Sequence, residues 1–360
     1  MFSKFLKLYV MKIITNPDRN QWPAILERPS LDHSNLEEQV LQIIEDVKKR
    51  GDSAVRDYTR EFDGIDLESF EVDPKEIAAA EHQVSQELKS AIEEAQWNIL
   101  TFHKKQTQKL ETIVTTAGVR CWQKAVPIQR VGLYVPGGSA ALLSTVLMLG
   151  IPARLAGCRE TILCSPPDKH GKVNPTILYI ADLLGIDRVY AVGGVQAIAA
   201  MAHGTETITS VDKIFGPGNQ YVTMAKQIVS RETVAIDMPA GPSELAVVAD
   251  KGANAAFIAS DLLSQAEHGP DSQVLLIADS RELLEGVQEE LDKQLAELPR
   301  KEIAALALEN SKLILIENQD DIMDMVNDYA PEHLIIMTDN FQELADKVVN
   351  AGSVFLGEYS

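Results

Sequence analysis

The side chains of this sequence best placed for chemistry lie in the segment Ser264–Pro270. Gln265 and His268 stand three positions apart at the end of a predicted helix, 253–268, so they share one face of it. The glycine and proline that follow end the helix at once. Two groups able to coordinate a metal therefore project from a helix end. The spacing leaves two interpretations open, because the helix dipole alone favours a histidine there and glutamine is an uncommon zinc ligand.

A second pair of chemical groups, Glu332 and His333, lies in the segment Pro331–Leu334, just before an apolar strand. A histidine and a glutamate can take protons in successive steps. In an open α/β sheet, however, this end of a strand is opposite the usual ligand crevice. The pattern fits general acid–base catalysis and also fits an ordinary solvated loop.

Two loops could receive the phosphates of a nucleotide. In the first, a strand at Val131–Val135 leads through Pro136–Ser139 into an apolar helix, which predicts either an anion-binding turn or a plain βα turn. The second, Phe215–Asn219, follows a strand and opens a helix, as in the dinucleotide fingerprint. Tyr221 replaces the third glycine of that fingerprint. A nucleotide bound at this second loop would therefore bind differently from the usual Rossmann manner.

The segment Asp237–Glu244 follows this second loop. Asp237 lies about 20 residues beyond it, where a ribose-binding acid is expected in a dinucleotide fold. Two prolines make the segment rigid, so Ser243 could be held in place as a hydrogen-bonding partner of a substrate. Rigidity alone accounts for the pattern equally well.

The periodicity predicts an α/β protein with an α-rich N-terminal segment. From residue 35 to about 106, apolar residues recur at helical spacing, as at Val40, Ile43, Ile44 and Val47. Beyond this part, short apolar runs alternate with helical patterns, which is typical of parallel α/β layers. The predicted strands are 160–164, 188–192, 213–215, 244–249, 273–278, 312–316, 334–337 and 352–357, and the predicted late helices are 281–298, 320–329 and 342–349.

Composition limits the possible partners. The formal net charge is −20, which disfavours nucleic acid. The longest apolar stretch, 140–153, falls short of the ~18 residues of a membrane span, so we expect no membrane partner. The first ten residues contain no uninterrupted signal core, and Met11 could equally be the start of the chain.

Three cysteines, Cys121, Cys158 and Cys164, are too few for a disulfide framework and suit a reducing cytoplasm. All three are interpreted first as small buried apolar residues. An alternative makes Cys164 the nucleophile of an aldehyde dehydrogenase that needs no metal.

Taken together, the segments Gly132–Ser139, Phe215–Asn219, Asp237–Glu244, Ser264–Pro270 and Pro331–Leu334 resemble the histidinol dehydrogenase family in order and spacing. The resemblance covers nearly the whole chain. It implies oxidation of the small molecule L-histidinol to L-histidine through the aldehyde, with NAD as the hydride acceptor in two steps and zinc as a cofactor. It places this reaction at the last step of histidine biosynthesis, in a cytoplasmic homodimer.

The resemblance also assigns roles to individual residues. Glu332 and His333 match the family's acid–base pair. The residues that match its substrate contacts are Ser243, Gln265, His268 and His333, and of these Gln265 and His268 also match zinc ligands. The positions that match NAD contacts are Tyr134, Gln196 and Asn219.

The fold implied by the family is two incomplete Rossmann-like domains with parallel sheets. In this sequence it predicts an N-terminal segment at 1–30, a first domain made of 31–133 and 243–360, and an inserted second domain at 134–242. Family members continue past the segment Leu356–Ser360 with an aspartate and a histidine that complete the zinc site. We therefore expect the C-terminal extension to be absent, which leaves two hypotheses: a fragment of an active enzyme, or a catalytically silent truncated remnant that folds and retains NAD binding.

Overall fold

The computed structural model describes residues 11–29, 35–106, 111–137, 142–239 and 241–359. Within these ranges the chain forms thirteen β-strands: β1 (Ile13–Thr15), β2 (Ile113–Thr116), β3 (Val119–Cys121), β4 (Arg130–Tyr134), β5 (Glu160–Ser165), β6 (Arg188–Ala191), β7 (Lys213–Phe215), β8 (Ala235–Ile236), β9 (Glu244–Ala249), β10 (Gln273–Ala278), β11 (Lys312–Leu315), β12 (His333–Met337) and β13 (Ser353–Leu356).

The same residues form fourteen α-helices: α1 (Trp22–Ile25), α2 (Leu36–Arg50), α3 (Asp52–Asp63), α4 (Pro74–Ala79), α5 (Gln86–Lys104), α6 (Leu143–Ala156), α7 (Pro175–Leu184), α8 (Gly194–His203), α9 (Gln220–Ser230), α10 (Ala255–Ala266), α11 (Arg281–Glu297), α12 (Lys301–Glu309), α13 (Gln319–Tyr329) and α14 (Phe341–Ala345). None of the described helices has both the length and the apolar character that crossing a membrane requires.

The described residues divide into two compact units. The terminal unit contains residues 11–29 and 241–359, and the central unit contains the described residues from 35 to 239. The predicted division into 31–133 with 243–360 and an inserted 134–242 stays a prediction. In the structure, residues 35–133 group with 134–239, and the predicted boundary at 133 and 134 falls inside β4.

The terminal unit is built on a six-stranded parallel sheet in the order β1-β11-β10-β9-β12-β13. Successive residues of β9 face opposite sides, as the pleat requires: Leu245 and Val247 pack with α10, α11 and α12, whereas Ala246 and Val248 pack with α1, α13 and α14. Both faces of the sheet are therefore covered, which explains the continuous apolar runs of its strands.

The central unit is built on a five-stranded parallel sheet in the order β6-β5-β4-β7-β8. The chain winds outward through β4, β5 and β6 and then returns to the other side of β4 with β7, so the direction of winding reverses between β4 and β7. In doubly wound folds, such a reversal opens a crevice at the carboxyl ends of the strands. Helices α2, α3, α8 and α9 share a core with one face of the sheet, and α4, α5, α6 and α7 share one with the other.

These sheets confirm the predicted fold class, including the α-rich opening, the parallel strands and the alternation of strand and helix. The structure also contains elements that the prediction lacked, among them the strands β1 and β8, the helices α1 and α12, and the antiparallel hairpin β2-β3. The hairpin is exposed along its whole length.

Candidate active site

The predicted acid–base residues lie at the amino-terminal edge of the terminal sheet. His333 is the first residue of β12, where it pairs in register with Leu245 of β9. A helix that connects parallel strands returns antiparallel to them, so α10 carries its C-terminal residues back to this same edge. As a result, Gln265 Nε2 lies 3.1 Å from His333 Nδ1. The structure thus brings together two residues that are 68 positions apart.

The ring of His333 has a second neighbour at Nδ1. The main-chain carbonyl of Glu244 lies 3.2 Å away and can only accept a hydrogen bond. When Nδ1 carries the proton, it donates to this carbonyl and leaves Nε2 as the basic nitrogen. When Nδ1 is unprotonated, it accepts from Gln265 instead. The two neighbours of Nδ1 therefore decide which nitrogen of His333 is available as a base.

Glu332 is held beside this ring by main-chain contacts on both sides. Its Oε2 lies 3.7 Å from His333 Nδ1 and accepts a hydrogen bond of 3.4 Å from the amide of Glu244. Its own carbonyl accepts from Ser353 at 2.9 Å. A Cβ at Gly352 would lie 2.6 Å from that carbonyl, so only glycine fits there. The carboxylate is 52% exposed, which keeps it accessible to water and substrate.

Ser243 and His268 lie on the two segments that adjoin this cluster. Ser243 directly precedes β9 and is half-buried, and its carbonyl accepts from the amide of Gln273 at 3.1 Å. His268 lies just past the end of α10 and is exposed, and its amide donates to the carbonyl of Gln265 at 3.3 Å. The helix ends at Ala266, two residues earlier than predicted, so Gln265 lies in its last turn and His268 just beyond it.

Two side chains on this edge, those of Gln265 and His268, carry groups of a kind that can coordinate a metal. Gln265 and His268 offer a neutral amide and an imidazole, whereas catalytic zinc has three protein ligands. Among the residues that the structure describes, no group of three or more His, Cys, Asp and Glu side chains is placed to hold a metal ion. On their own, these residues do not make a complete zinc site.

The sequence pattern did not reveal the role of Glu244. This buried glutamate begins the otherwise apolar strand β9, and Arg28 forms a two-point ion pair with its carboxylate, including a hydrogen bond of 2.9 Å from Nη2. Its main chain contacts both Glu332 and His333. A carboxylate at the start of a continuous apolar strand requires a partner, and this was the available signal.

In the central unit, the residues expected to contact NAD gather at the carboxyl edge of the sheet. Tyr134 ends β4 and is buried, and its hydroxyl accepts a hydrogen bond of 3.1 Å from the amide of Gly194. Burial raises the pKa of Tyr134 to about 12, so the phenol stays neutral. Gln196 lies in the first turn of α8, and its Oε1 is buried without a hydrogen-bond partner within the described residues. A buried, unpaired amide oxygen is costly and suits a group that a ligand will satisfy.

The loops at this edge pack closely. A Cβ on Gly137 would lie 2.4 Å from Pro166 Cγ, and one on Gly193 would lie 2.5 Å from Pro166 Cβ. The loops that follow β4, β5 and β6 thus converge on one proline, and two of them need glycine there. The rest of the predicted anion-binding turn, Gly138 and Ser139, lies outside the described residues.

Asn219 caps α9 in the loop that follows β7. Its Oδ1 accepts hydrogen bonds of 3.1 Å from the amides of both Tyr221 and Val222, so its amide nitrogen is the end available to a ligand. The same loop places Gly216 at φ +132°, where a Cβ would lie 2.0 Å from the carbonyl oxygen of Tyr134. Tyr134 and the loop that carries Asn219 are therefore in direct contact.

Asp237 braces this loop. One carboxylate oxygen accepts from the buried Lys226 and the other accepts at 2.8 Å from the amide of Gly216. Lys226 Nζ also donates to the carbonyl of Gly216 at 2.6 Å. Both oxygens of Asp237 are thus used inside the protein, which gives it a structural role in place of the ribose-binding role considered from its spacing.

The cysteines differ in their surroundings. Cys164 is buried as predicted, and burial raises the pKa of its thiol to about 12, which removes the thiolate that a nucleophile needs. Cys121 is exposed and Cys158 is half-buried, so the prediction of a buried residue was wrong for Cys121. It lies on the exposed hairpin, where its side chain has no core to enter.

Comparisons with known proteins identify the family of the chain. The family model described as histidinol dehydrogenase matches residues 26–360. The chain is 56% identical over 348 residues to "Histidinol dehydrogenase" of Bacteroides thetaiotaomicron, and this match covers 97% of this chain and 81% of the relative. It is 55% identical over 350 residues to "Histidinol dehydrogenase" of Bacteroides fragilis, and this match covers 97% of this chain and 82% of the relative. The crystal structure of histidinol dehydrogenase from Elizabethkingia anophelis superposes with a TM-score of 0.94 at 50% identity, with 97% of this chain and 81% of that chain covered. The chain belongs to the histidinol dehydrogenase family.

Proposed function

We propose that this protein oxidises L-histidinol to L-histidine through the aldehyde, with NAD accepting a hydride in each of two steps, at the end of histidine biosynthesis. The observation that carries the proposal is the cluster of His333, Glu332 and Gln265 on one sheet edge, in a chain of this family. The base His333 thus lies beside both a second acid–base group and a polar side chain that can hold the substrate.

In the first step, His333 acts as the base. The Nδ1 proton of His333 is donated to the Glu244 carbonyl, so Nε2 is the basic nitrogen. Nε2 takes the proton of the substrate hydroxyl while the carbon that bears this hydroxyl gives a hydride to NAD. In the second step, water adds to the aldehyde and Glu332 takes its proton. The hydrate anion that results gives up its hydride to the second NAD, and the carboxylic acid so formed releases its remaining proton to solvent. Glu332 suits this role because its carboxylate is accessible to water.

NAD is proposed to bind at the carboxyl edge of the central sheet, with contacts from Tyr134, Gln196 and Asn219. Three features support this position: the reversal of winding between β4 and β7, the unpaired Oε1 of Gln196, and the free amide nitrogen of Asn219. A ligand that donates a hydrogen bond to Gln196 removes the cost of its buried oxygen.

For the metal, Gln265 and His268 are the residues of this chain proposed to hold zinc, with Ser243, Gln265, His268 and His333 contacting the substrate. If completed by further ligands, zinc held there would supply Lewis-acid polarisation of the substrate and a fixed orientation. The family resemblance implies that an aspartate and a histidine supply the other ligands. Zinc titration of the protein by calorimetry, compared with the variant His268→Ala, tests this assignment without requiring turnover.

A homodimer in the cytoplasm is proposed as the setting of the enzyme. The family resemblance implies the dimer, and the exposed apolar side chains Ile113, Val114 and Trp122 of the hairpin region, each more than 60% exposed, suit an interface between subunits. The free cysteines suit a reducing compartment.

The test is NADH formation from L-histidinol with and without added zinc, monitored at the absorbance of NADH, with L-histidine as the matched compound that cannot be oxidised further. We expect NADH to form from L-histidinol and not from L-histidine. Absence of NADH under both conditions would contradict the proposal and would favour the alternative, a silent truncated remnant, for which no present observation speaks.

A further inference from the structure

Arg28 makes an unusual set of contacts in the terminal unit. Its guanidinium pairs with both carboxylate oxygens of Glu244, and its Nη2 also donates to the carbonyls of Tyr329 at 2.6 Å and Ala330 at 3.4 Å. The guanidinium carbon lies 4.7 Å from the centre of the Tyr329 ring. Arg28 therefore joins three separate segments: its own, the start of β9, and the end of α13.

All of these contacts converge on the main chain that holds the proposed catalytic pair. Glu244 donates its amide to Glu332 and presents its carbonyl to His333. Ala330, at the other end of the Arg28 contacts, has a left-handed φ of +50° and stands two residues before Glu332. A non-glycine residue in that conformation is strained, so the turn needs outside support. Arg28 supplies that support through the two carbonyls.

We propose that Arg28 is a positioning residue for the reaction. By fixing Glu244 and the turn at Ala330, it sets the orientation of Glu332. It also keeps His333 in the form whose Nδ1–H donates a hydrogen bond to the Glu244 carbonyl. The inference rests on the proposed function. Arg28 touches no reacting atom. Its effect passes through the main chain of Glu244, whose side chain is only 12% exposed, so water can replace the guanidinium only in part.

A guanidinium is required because its fixed fork of nitrogens must reach a carboxylate and main-chain carbonyls at the same time. Two nitrogens face the carboxylate while one also reaches the carbonyls, and a lysine ammonium cannot reproduce this fork. Lys at position 28 keeps the charge of Glu244 paired but releases the carbonyls of the turn. The variants Arg28→Lys and Arg28→Met therefore separate charge neutralisation from positioning.

The test compares the full chain with the variants Arg28→Met, Arg28→Lys and Arg19→Met. Arg19 is the matched control, since it also pairs with two carboxylates, Asp321 and Asp324, and lies over an aromatic ring, that of Trp22. The first readout is the tautomer of His333 from the side-chain nitrogen shifts of protein labelled in histidine, with the signal assigned by the variant His333→Gln. The second readout is kcat for L-histidinol, with the KM for NAD measured alongside.

In the parent and in Arg19→Met, we expect the Nδ1–H form of His333. In Arg28→Met we expect a mixture of tautomers and a kcat lower by about 10- to 100-fold, the usual scale for misplacing a catalytic group, with little change in the KM for NAD. Arg28→Lys should fall between them. An Arg28→Met protein that matches Arg19→Met in both readouts would overturn the inference. If the parent forms no NADH at all, the proposed function fails, and the tautomer comparison still decides the role of Arg28.

Discussion

Replacing Lys226 with methionine is expected to destabilise the central unit and to weaken NAD binding. The ammonium group is buried, with 6% of the side chain exposed, and it donates to Asp237 and to the carbonyl of Gly216. Methionine has a similar length and apolar stem, so the change removes the charge and its hydrogen bonds while leaving little empty space.

The magnitude follows from what the substitution leaves behind. Removing one partner of a buried ion pair costs about 3–5 kcal/mol. Asp237 is 28% exposed, so water replaces part of the lost interaction, and we expect a loss of about 2–3 kcal/mol in the free energy of unfolding. For a unit of this size, that corresponds to a lowering of Tm by roughly 5–10 °C.

The assay is urea unfolding of the variant beside Lys172→Met, whose lysine pairs with Glu76 at 2.5 Å on the surface of the same unit. That control should lose less than about 1 kcal/mol. The dissociation constant of NAD, measured by calorimetry, should rise for Lys226→Met alone, because Gly216 belongs to the loop that carries Asn219. Equal stability and equal NAD affinity in the two variants would refute the reasoning.

Further predictions concern single positions. Gly352→Ala should lower kcat by about 10-fold or more, because its Cβ would push on the carbonyl of Glu332. The control Gly286→Ala, whose Cβ meets only an ordinary contact at 3.6 Å, should retain activity. Steady-state kinetics of the two variants tests this difference. Cys164→Ala should leave NADH formation intact, and an inactive, well-folded variant would revive the nucleophile hypothesis. Burial raises the pKa of Asp261 to about 6 from 3.8, so between these values the folded state keeps a proton that the unfolded state releases. The free energy of unfolding should therefore fall as pH rises from about 4 to about 6. Asp261→Asn should flatten this dependence in urea titrations, and an unchanged slope would contradict the prediction.

Much of the fold follows from local sequence pattern. The strands of both sheets are apolar runs bounded by polar residues, and the helices carry one or two apolar faces, so their positions are readable. Among the missed elements, β1 has three residues and β8 has two, too few for a periodic signal, whereas the missed helix α12 has nine. The late helix, predicted at 342–349, ends at Ala345 instead, and the side chain of Asn327 accepts from the amides of Val349 and Asn350, in the segment beyond it.

The site is only partly readable from sequence for a different reason. The ligand-capable helix end at Gln265 is a local feature, since glycine and proline stop α10. Its contact with His333 depends on the register of β12 against β9, which is a long-range property. Arg28 reaches Glu244 across 216 positions, and no local pattern announces that partner. The same holds for the contact of Gly216 with Tyr134, which arises only when β4 and β7 become neighbours.

The central claim is that His333 acts as the base of the first oxidation and that Glu332 activates water for the second. A comparison of single-turnover NADH formation in His333→Asn and Glu332→Gln tests it most directly. Starting from L-histidinol, Glu332→Gln should form the first NADH and then stop at the aldehyde, because only the addition of water needs that carboxylate. His333→Asn should form neither. When each variant is given the aldehyde instead, His333→Asn should form NADH faster than Glu332→Gln. Formation of both NADH molecules at the parent rate by either variant would contradict the account.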